Sequence, residues 1–314
     1  MFSLYKQRDF SKIINDTFGF FRAYGKSYLK YYFIVNGGLL LILLLLMYFI
    51  GGMFMETVFA NITSPDGGED IVIEYFNSNM SLFITSGIIS GIILLMLTVL
   101  NYSYPVIFMK LVENNTVPTT RQIFNGIGQK LGKIITFSLM WLVIFLPISL
   151  IAGLLSIVLT VIIIGIPFAL IMLTALSLWM YLSFFDYLNN NSSYFDALKN
   201  GWNILFQNFW HHIGSTIIFY IIVTIIHGIV SFIPYIIGIV IILTDASEGR
   251  KPDSETFTFF GLLMTITFML SVLFAYILGN LVVVNQGIIY YSAREENENL
   301  SFHKDIDLIG RDSE

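Results

Sequence analysis

Residues 134–185, IITFSLMWLVIFLPISLIAGLLSIVLTVIIIGIPFALIMLTALSLWMYLSFF, contain no Asp, Glu, Lys, Arg or His. A helix rises about 1.5 Å per residue and the hydrocarbon core is about 30 Å thick, so these 52 residues are too long for one crossing and suit two. The stretch predicts a transmembrane hairpin. Pro147 would kink a helix, whereas Gly165-Ile166-Pro167 joins a flexible residue to a ring without an amide donor, which places the turn near 161–167. Lys133 and Asp186 then close the hairpin at one membrane face.

Composition agrees. Of the 314 residues, 56% are hydrophobic and 12% charged, against about 25% charged in a soluble domain. The fold class expected is therefore an all-α polytopic membrane protein. With no Cys, disulfides, zinc thiolate sites and thiol chemistry are ruled out. Met1 to Tyr32 is too long and too polar to be a cleavable signal peptide, so the first span is expected to remain as an anchor.

Outward from the hairpin, the chain reads as three units, each an amphipathic interfacial helix followed by two spans. Asp9–Tyr31 is the first such helix, with Phe10, Ile13, Ile14, Thr17, Phe21, Tyr24 and Tyr28 at helical spacing. Arg22, Lys26 and Lys30 are four apart and form one row suited to anionic lipid headgroups or to ordinary flanking charge. The second lies in 110–133, opened by a capping box at Thr119-x-x-Gln122 and carrying Ile123, Ile127 and Leu131. The third opens at Ser193-x-x-Asp196, with Phe195, Leu198, Trp202, Leu205 and Phe209 along one face. The six spans are placed at about 33–55, 82–109, 134–160, 167–186, 213–233 and 257–291. Residues 1–32 form a cytoplasmic amphipathic segment, 33–292 the transmembrane domain and 293–314 a charged tail, most of it expected to be disordered. After Pro234, residues 235–243 read as a kinked extension or a re-entrant piece. Gly87-x-x-x-Gly91 in span 2 is spacing that lets helix backbones approach closely.

Charge sets the topology. Fourteen of the sixteen Lys and Arg residues fall on the face holding both termini, and Arg250 and Lys251 alone fall on the other, where Glu56, Asp66, Glu69, Asp70 and Glu74 gather. By the positive-inside rule both termini are cytoplasmic, in a cytoplasmic (inner) membrane.

Catalytic patterns are missing: the sequence has no phosphate-cradling Gly-x4-Gly-Lys-Ser/Thr, no His-Glu-x-x-His and no Gly-x-Ser-x-Gly. Adjacent His211 and His212 point about 100° apart on a helix, so a shared metal would need an outside ligand, and no metal or cofactor is expected. His227 sits inside span 5, where an ionisable group is a functional candidate. Its structural alternative is a neutral imidazole bonded to a backbone carbonyl, Thr224 or Ser231. Asn36, Asn101, Asp186, Asn280, Asn285 and Gln286 all fall toward the cytoplasmic side, where they form either a polar pocket or interhelical hydrogen-bond glue.

The form Phe-x-x-Leu-Lys-x-Gly-Trp-x-x-Leu-x-x-x-Phe-Trp is carried here by Phe195 to Trp210. Together with the Ile-Pro breaks and the ending Asn285-Gln286-Gly287-Ile288-Ile289-Tyr290-Tyr291, it resembles a group of uncharacterised bacterial six-span membrane proteins. These are similar to the membrane domain of glycerophosphoryl diester phosphodiesterases. No segment outside the membrane exceeds about 32 residues, too few for that family's hydrolase barrel of about 250, so its activity does not carry over. The sequence thus predicts a non-enzymatic accessory or scaffold subunit of a membrane complex, with membrane lipids and membrane proteins as partners and no nucleic acid. The alternative is a transporter or lipid-handling protein with a cytoplasm-facing polar pocket.

Overall fold

A computed structural model describes residues 2–63, 73–74, 77–114, 117–162, 165–190, 192–247 and 254–299. Among these, seven α-helices follow one another: α1 (Phe10–Thr63), α2 (Met80–Leu111), α3 (Thr120–Val161), α4 (Gly165–Asn189), α5 (Tyr194–Gln207), α6 (Phe209–Ser247) and α7 (Ser254–Glu298). Six of them are long and apolar enough to cross a membrane. The chain is a polytopic all-α protein. The apolar side chains pointing outward say the same: Val143, Leu154 and Val161 on α3 are 71%, 65% and 82% exposed, which water would not tolerate along a whole helix.

The amphipathic stretches are helical, but only the third is a helix of its own. The first two are the opening turns of α1 and α3 and run without interruption into the apolar stretches. No proline lies at either junction, Tyr31-Tyr32-Phe33 or Gly132-Lys133-Ile134, to remove a backbone donor and end the helix. α5 is set apart by Asn208, whose backbone leaves the helical region at φ −136° and ψ 55°. At the other end of α1 the chain enters through Asp9, whose carboxylate accepts the Lys12 amide at 2.8 Å and is held below its usual pKa by that bond. The predicted capping box at Thr119 and Gln122 is formed in both directions, and Ser193 accepts the Asp196 amide at 3.2 Å.

None of the three prolines inside helices ends one: α2 continues through Pro105, α3 through Pro147 and α6 through Pro234 to Ser247. Residues 235–243 are thus a helical extension, and the re-entrant reading falls away. The hairpin turns after Val161, and Gly165 opens α4 where a Cβ would collide with the Leu159 backbone. The predicted turn region is right, although Ile163 and Ile164 lie outside the described residues, as do Asp66, Glu69, Asp70, Arg250, Lys251 and the tail from Leu300. Before that, the tail's Ala293 to Glu298 belongs to α7.

The chain divides into two compact units. The first comprises the described residues of Met1–Val35, Val99–Ile222 and Asn280–Glu314, the second those of Asn36–Thr98 and Val223–Gly279. Helices α3, α4 and α5 belong wholly to the first unit, while α1, α2, α6 and α7 contribute to both. The first unit is packed around rings. Phe20, Tyr24, Tyr28 and Tyr32 form a buried stripe on α1, and Tyr28 meets Tyr104 and Phe108 of α2 at centroid distances of 5.0 Å each. The sequence stripe placed Phe21 inside; the helix turns Phe20 inward instead and leaves Phe21 half-buried.

α5 shows a larger shift of face. Its buried residues are Tyr194, Ala197, Gly201, Ile204 and Leu205, while Phe195 and Trp202 of the predicted stripe point outward. Gly201 explains the choice. A Cβ there would lie 2.7 Å from the Ser183 amide nitrogen, so α4 and α5 approach at a distance only glycine permits. Backbone proximity and the small Ala197 decide the inward face, and the large rings are left outside.

Candidate functional site

Asp186 lies one turn from the end of α4, 3% exposed. Helix ends leave carbonyls without intrahelical partners, and here lysines of α3 supply them. Lys130 Nζ donates to the Leu188 carbonyl at 2.5 Å, and Lys133 Nζ donates to those of Tyr187 and Asn190 at 3.2 and 2.8 Å. The two ammoniums also face the negative end of the helix dipole. Lys133 and Asp186 therefore do mark one end of the hairpin, joined through backbone rather than as an ion pair.

The carboxylate itself is enclosed by neutral donors. Oδ1 accepts from Asn190 Nδ2 at 2.6 Å and from the Tyr290 hydroxyl at 3.4 Å; Oδ2 accepts from Ser192 Oγ at 3.0 Å and Asn200 Nδ2 at 2.9 Å. Arg294 reaches only the next layer, donating to Asn190 Oδ1 at 3.1 Å. One anion thus ties α4, the connection after it, α5 and α7. With both oxygens engaged, it is the hub of four hydrogen bonds.

Four more of the polar residues singled out by sequence are bonded, each through partners of its own. Asn101 accepts from Tyr32 at 2.8 Å, and Asn280 accepts from Tyr28 at 2.5 Å. Asn285 lies between two threonines, donating to Thr17 Oγ1 at 3.2 Å and accepting from Thr216 Oγ1 at 3.1 Å. Gln286 reaches Ser177 at 3.5 Å, whose hydroxyl pairs with that of Tyr220 at 2.8 Å. All of these belong to the first unit. Asn36, fully buried, belongs to the second. The structure thus distributes the set over several interhelical junctions.

In the second unit His227 Nε2 lies 3.2 Å from the Ser271 carbonyl. A carbonyl only accepts, so Nε2 carries the proton and the ring acts as a donor between α6 and α7. Ser231 and Ser271 pair beside it at 3.1 Å. The side chains of Glu56 and Asp245 lie outside the described residues. His211 packs near Phe10 at 6.4 Å and His212 is buried; among the described residues no group of three His, Asp or Glu is placed to hold a metal ion. Arg22, Lys26 and Lys30 are all exposed, as a single row requires.

One arrangement had no signal in the sequence. The segment before α1 folds around Arg8, whose Nη1 donates to the Leu4 and Lys6 carbonyls at 2.7 and 2.9 Å and Nη2 to that of Ser3 at 2.6 Å, while Nε pairs with Asp16 at 2.8 Å. Burial pulls this guanidinium's pKa down, and Asp16 opposes the pull. The Arg8 amide donates to Ser292 of α7 at 2.9 Å; Tyr5 packs edge-on against Tyr291 at 5.0 Å and donates to Glu113 at 3.3 Å. Burial, then Glu113, raise the Tyr5 hydroxyl's pKa. Apart from Asp16, every partner in this latch is distant in sequence or is a backbone carbonyl, so apolar periodicity does not reveal it.

No protein-family model, curated protein or solved structure matches the chain.

Proposed function

We propose that the chain is a non-enzymatic integral protein of the cytoplasmic membrane, with both termini in the cytoplasm, that serves as an accessory or scaffold subunit of a membrane complex. The observation that carries this reading is the use made of the buried polar groups. Asp186, Asn101, Asn280, Asn285 and Gln286 are engaged in bonds between helices, so their chemistry holds a shape. The uneven Lys and Arg distribution supports the orientation. α5 presents three faces suited to a membrane boundary: Ala197 and Gly201 toward the protein, the rings of Phe195, Trp202 and Phe206 outward, and Asp196 and Asn203 on a third side. Exposed Arg22, Lys26 and Lys30 suit anionic headgroups. The likeness to the phosphodiesterase membrane domain agrees with the membrane role and brings no hydrolase activity.

The test is extraction of the chain in polymer-bounded particles of its own membrane, followed by native mass spectrometry. The expected result is a second protein present in fixed stoichiometry. Particles holding this chain alone, at expression levels matched to the native source, would overturn the reading.

A lipid-handling reading finds its opening away from the cytoplasm-facing pocket expected from the sequence, in an open groove of about 420 Å³ in the second unit where Leu46 of α1 faces Ser78, Leu82, Thr85 and Ser86. If that reading holds, Ser86→Trp fills the groove and abolishes lipid transfer between vesicles containing the protein. Absence of transfer by the unaltered chain removes it.

A further inference from the structure

Where α3 meets the end of α4, hydrogen-bond donors outnumber acceptors. Lys130 and Lys133 cap the carbonyls of α4, and Lys110 of α2 lies within electrostatic reach of Lys130. Glu113 is the acid that acts on Lys130, and its oxygens already accept from Lys110 at 3.0 Å, Tyr291 at 2.9 Å and Tyr5 at 3.3 Å. Two further donors in this corner, Asn189 Nδ2 and the Tyr194 hydroxyl, are buried and have no partner among the described residues. Asn189 Oδ1 faces Lys130 at 3.5 Å. Tyr194 is 7% exposed and packs against Phe137 at 5.2 Å and Tyr187 at 6.1 Å, and Lys133 Nζ sits 5.4 Å from the Tyr187 ring centre.

An ammonium carries three protons and no acceptor, so capping one or two carbonyls leaves donor capacity on each lysine. Against three ammoniums stand Glu113, about half a negative charge at the α4 terminus, and Asp186 one turn back, whose oxygens already accept from four donors, which leaves a positive remainder. A buried neutral donor without an acceptor is itself costly. Excess positive charge beside unmet donors favours an anion with several oxygens, and lysine binds phosphate as a point charge. Beside this corner α3 turns Leu131 and Ile135 outward, each 49% exposed, an apolar track on which acyl chains can lie.

We propose that Lys110, Lys130, Lys133, Asn189 and Tyr194 form a binding site for the phosphate of an anionic lipid headgroup. This site goes beyond the scaffold reading and stands without it.

The test uses the full chain in mild detergent, with binding read by thermal-shift titration and native mass spectrometry. The probes are short-chain phosphatidylglycerol, phosphatidylcholine and inorganic phosphate. Two variants leave the α4 caps intact: Tyr194→Phe, which removes a hydroxyl without a partner among the described residues, and Lys110→Gln. Phosphatidylglycerol is expected to saturate at a concentration at least tenfold below phosphatidylcholine. Tyr194→Phe should weaken it about fivefold, one hydrogen bond's worth, and Lys110→Gln about tenfold, without lowering the unliganded melting temperature by more than the scatter. Equal binding of the two lipids, or unchanged affinity in both variants, overturns the site. Inorganic phosphate binding as tightly as phosphatidylglycerol overturns the lipid as its source.

Discussion

Replacing Asp186 separates a structural hub from a chemical one. Asp186→Ala removes the acceptor of four donors contributed by Asn190, Ser192, Asn200 and Tyr290. A buried donor left unmet costs about 1–3 kcal/mol; taking the low end, because Ser192 and Asn200 are part-buried and water can reach them, the loss is about 4 kcal/mol. For a chain of this length that is about 8 °C in melting temperature. Asp186→Asn should behave differently. Its remaining oxygen keeps two donors, and its new amide can face Ser192, whose hydroxyl rotates to accept, and Asn200, whose amide can flip. Charge-assisted strength is lost, but so is the cost of a buried charge, leaving about 1–2 kcal/mol. Unfolding in mild detergent, followed by tryptophan fluorescence from Trp179 and Trp202, which lie 5.1 Å apart, reads both. An alanine variant melting within about 2 °C of the unaltered protein would refute the hub. So would an asparagine variant as damaged as the alanine one, since the hub rests on acceptors and not on charge.

Arg8→Ala should free residues 2–9 from α7 and raise amide hydrogen exchange there about a hundredfold, equivalent to about 3 kcal/mol of local stability; unchanged exchange counts against the latch. Arg8→Lys should rescue it only in part, because one ammonium cannot reproduce the fork that grips three carbonyls. Gly201→Val should push α5 off α4 and lower the melting temperature by several degrees, about 1–3 kcal/mol of overpacking; a variant as stable as the parent would show that the close approach at Ser183 is not required. Because the chain lacks Cys, single cysteines report topology cleanly. Ser78→Cys should react with an impermeant maleimide in intact cells and Asn15→Cys only after permeabilisation, and the reverse pattern would invert the orientation.

Much of the architecture is written in the order of residues. Six apolar runs, the hairpin turn near Gly165, the capping box at Thr119, the N-cap at Ser193 and the exposed row Arg22, Lys26 and Lys30 all follow from composition and from spacing within one helix. These are short-range properties, set by how many apolar residues a bilayer needs and by which side chains share a face. Whether an amphipathic stretch stands as its own helix also turned on a local signal, the break at Asn208, which a reading of apolar periodicity passes over.

What a residue does once there was decided elsewhere. Asn101, Asp186, Asn280, Asn285 and Gln286 were legible as polar residues at one end of the spans, but a pocket and a set of junctions have the same sequence. Only the positions of Tyr32, Asn200, Tyr28, Thr17, Thr216 and Ser177, from 69 to 268 residues away for all but Asn200, make them junctions. The inward face of α5 likewise depended on the partner backbone: periodicity selected its rings, and packing against Ser183 selected Gly201. The hairpin of residues 134–185 shows both levels at once. Its apolar length fixes two crossings by the thickness of the bilayer, while its polar end is held by Lys130 and Lys133 on carbonyls that exist as acceptors only because α4 stops there beside α3.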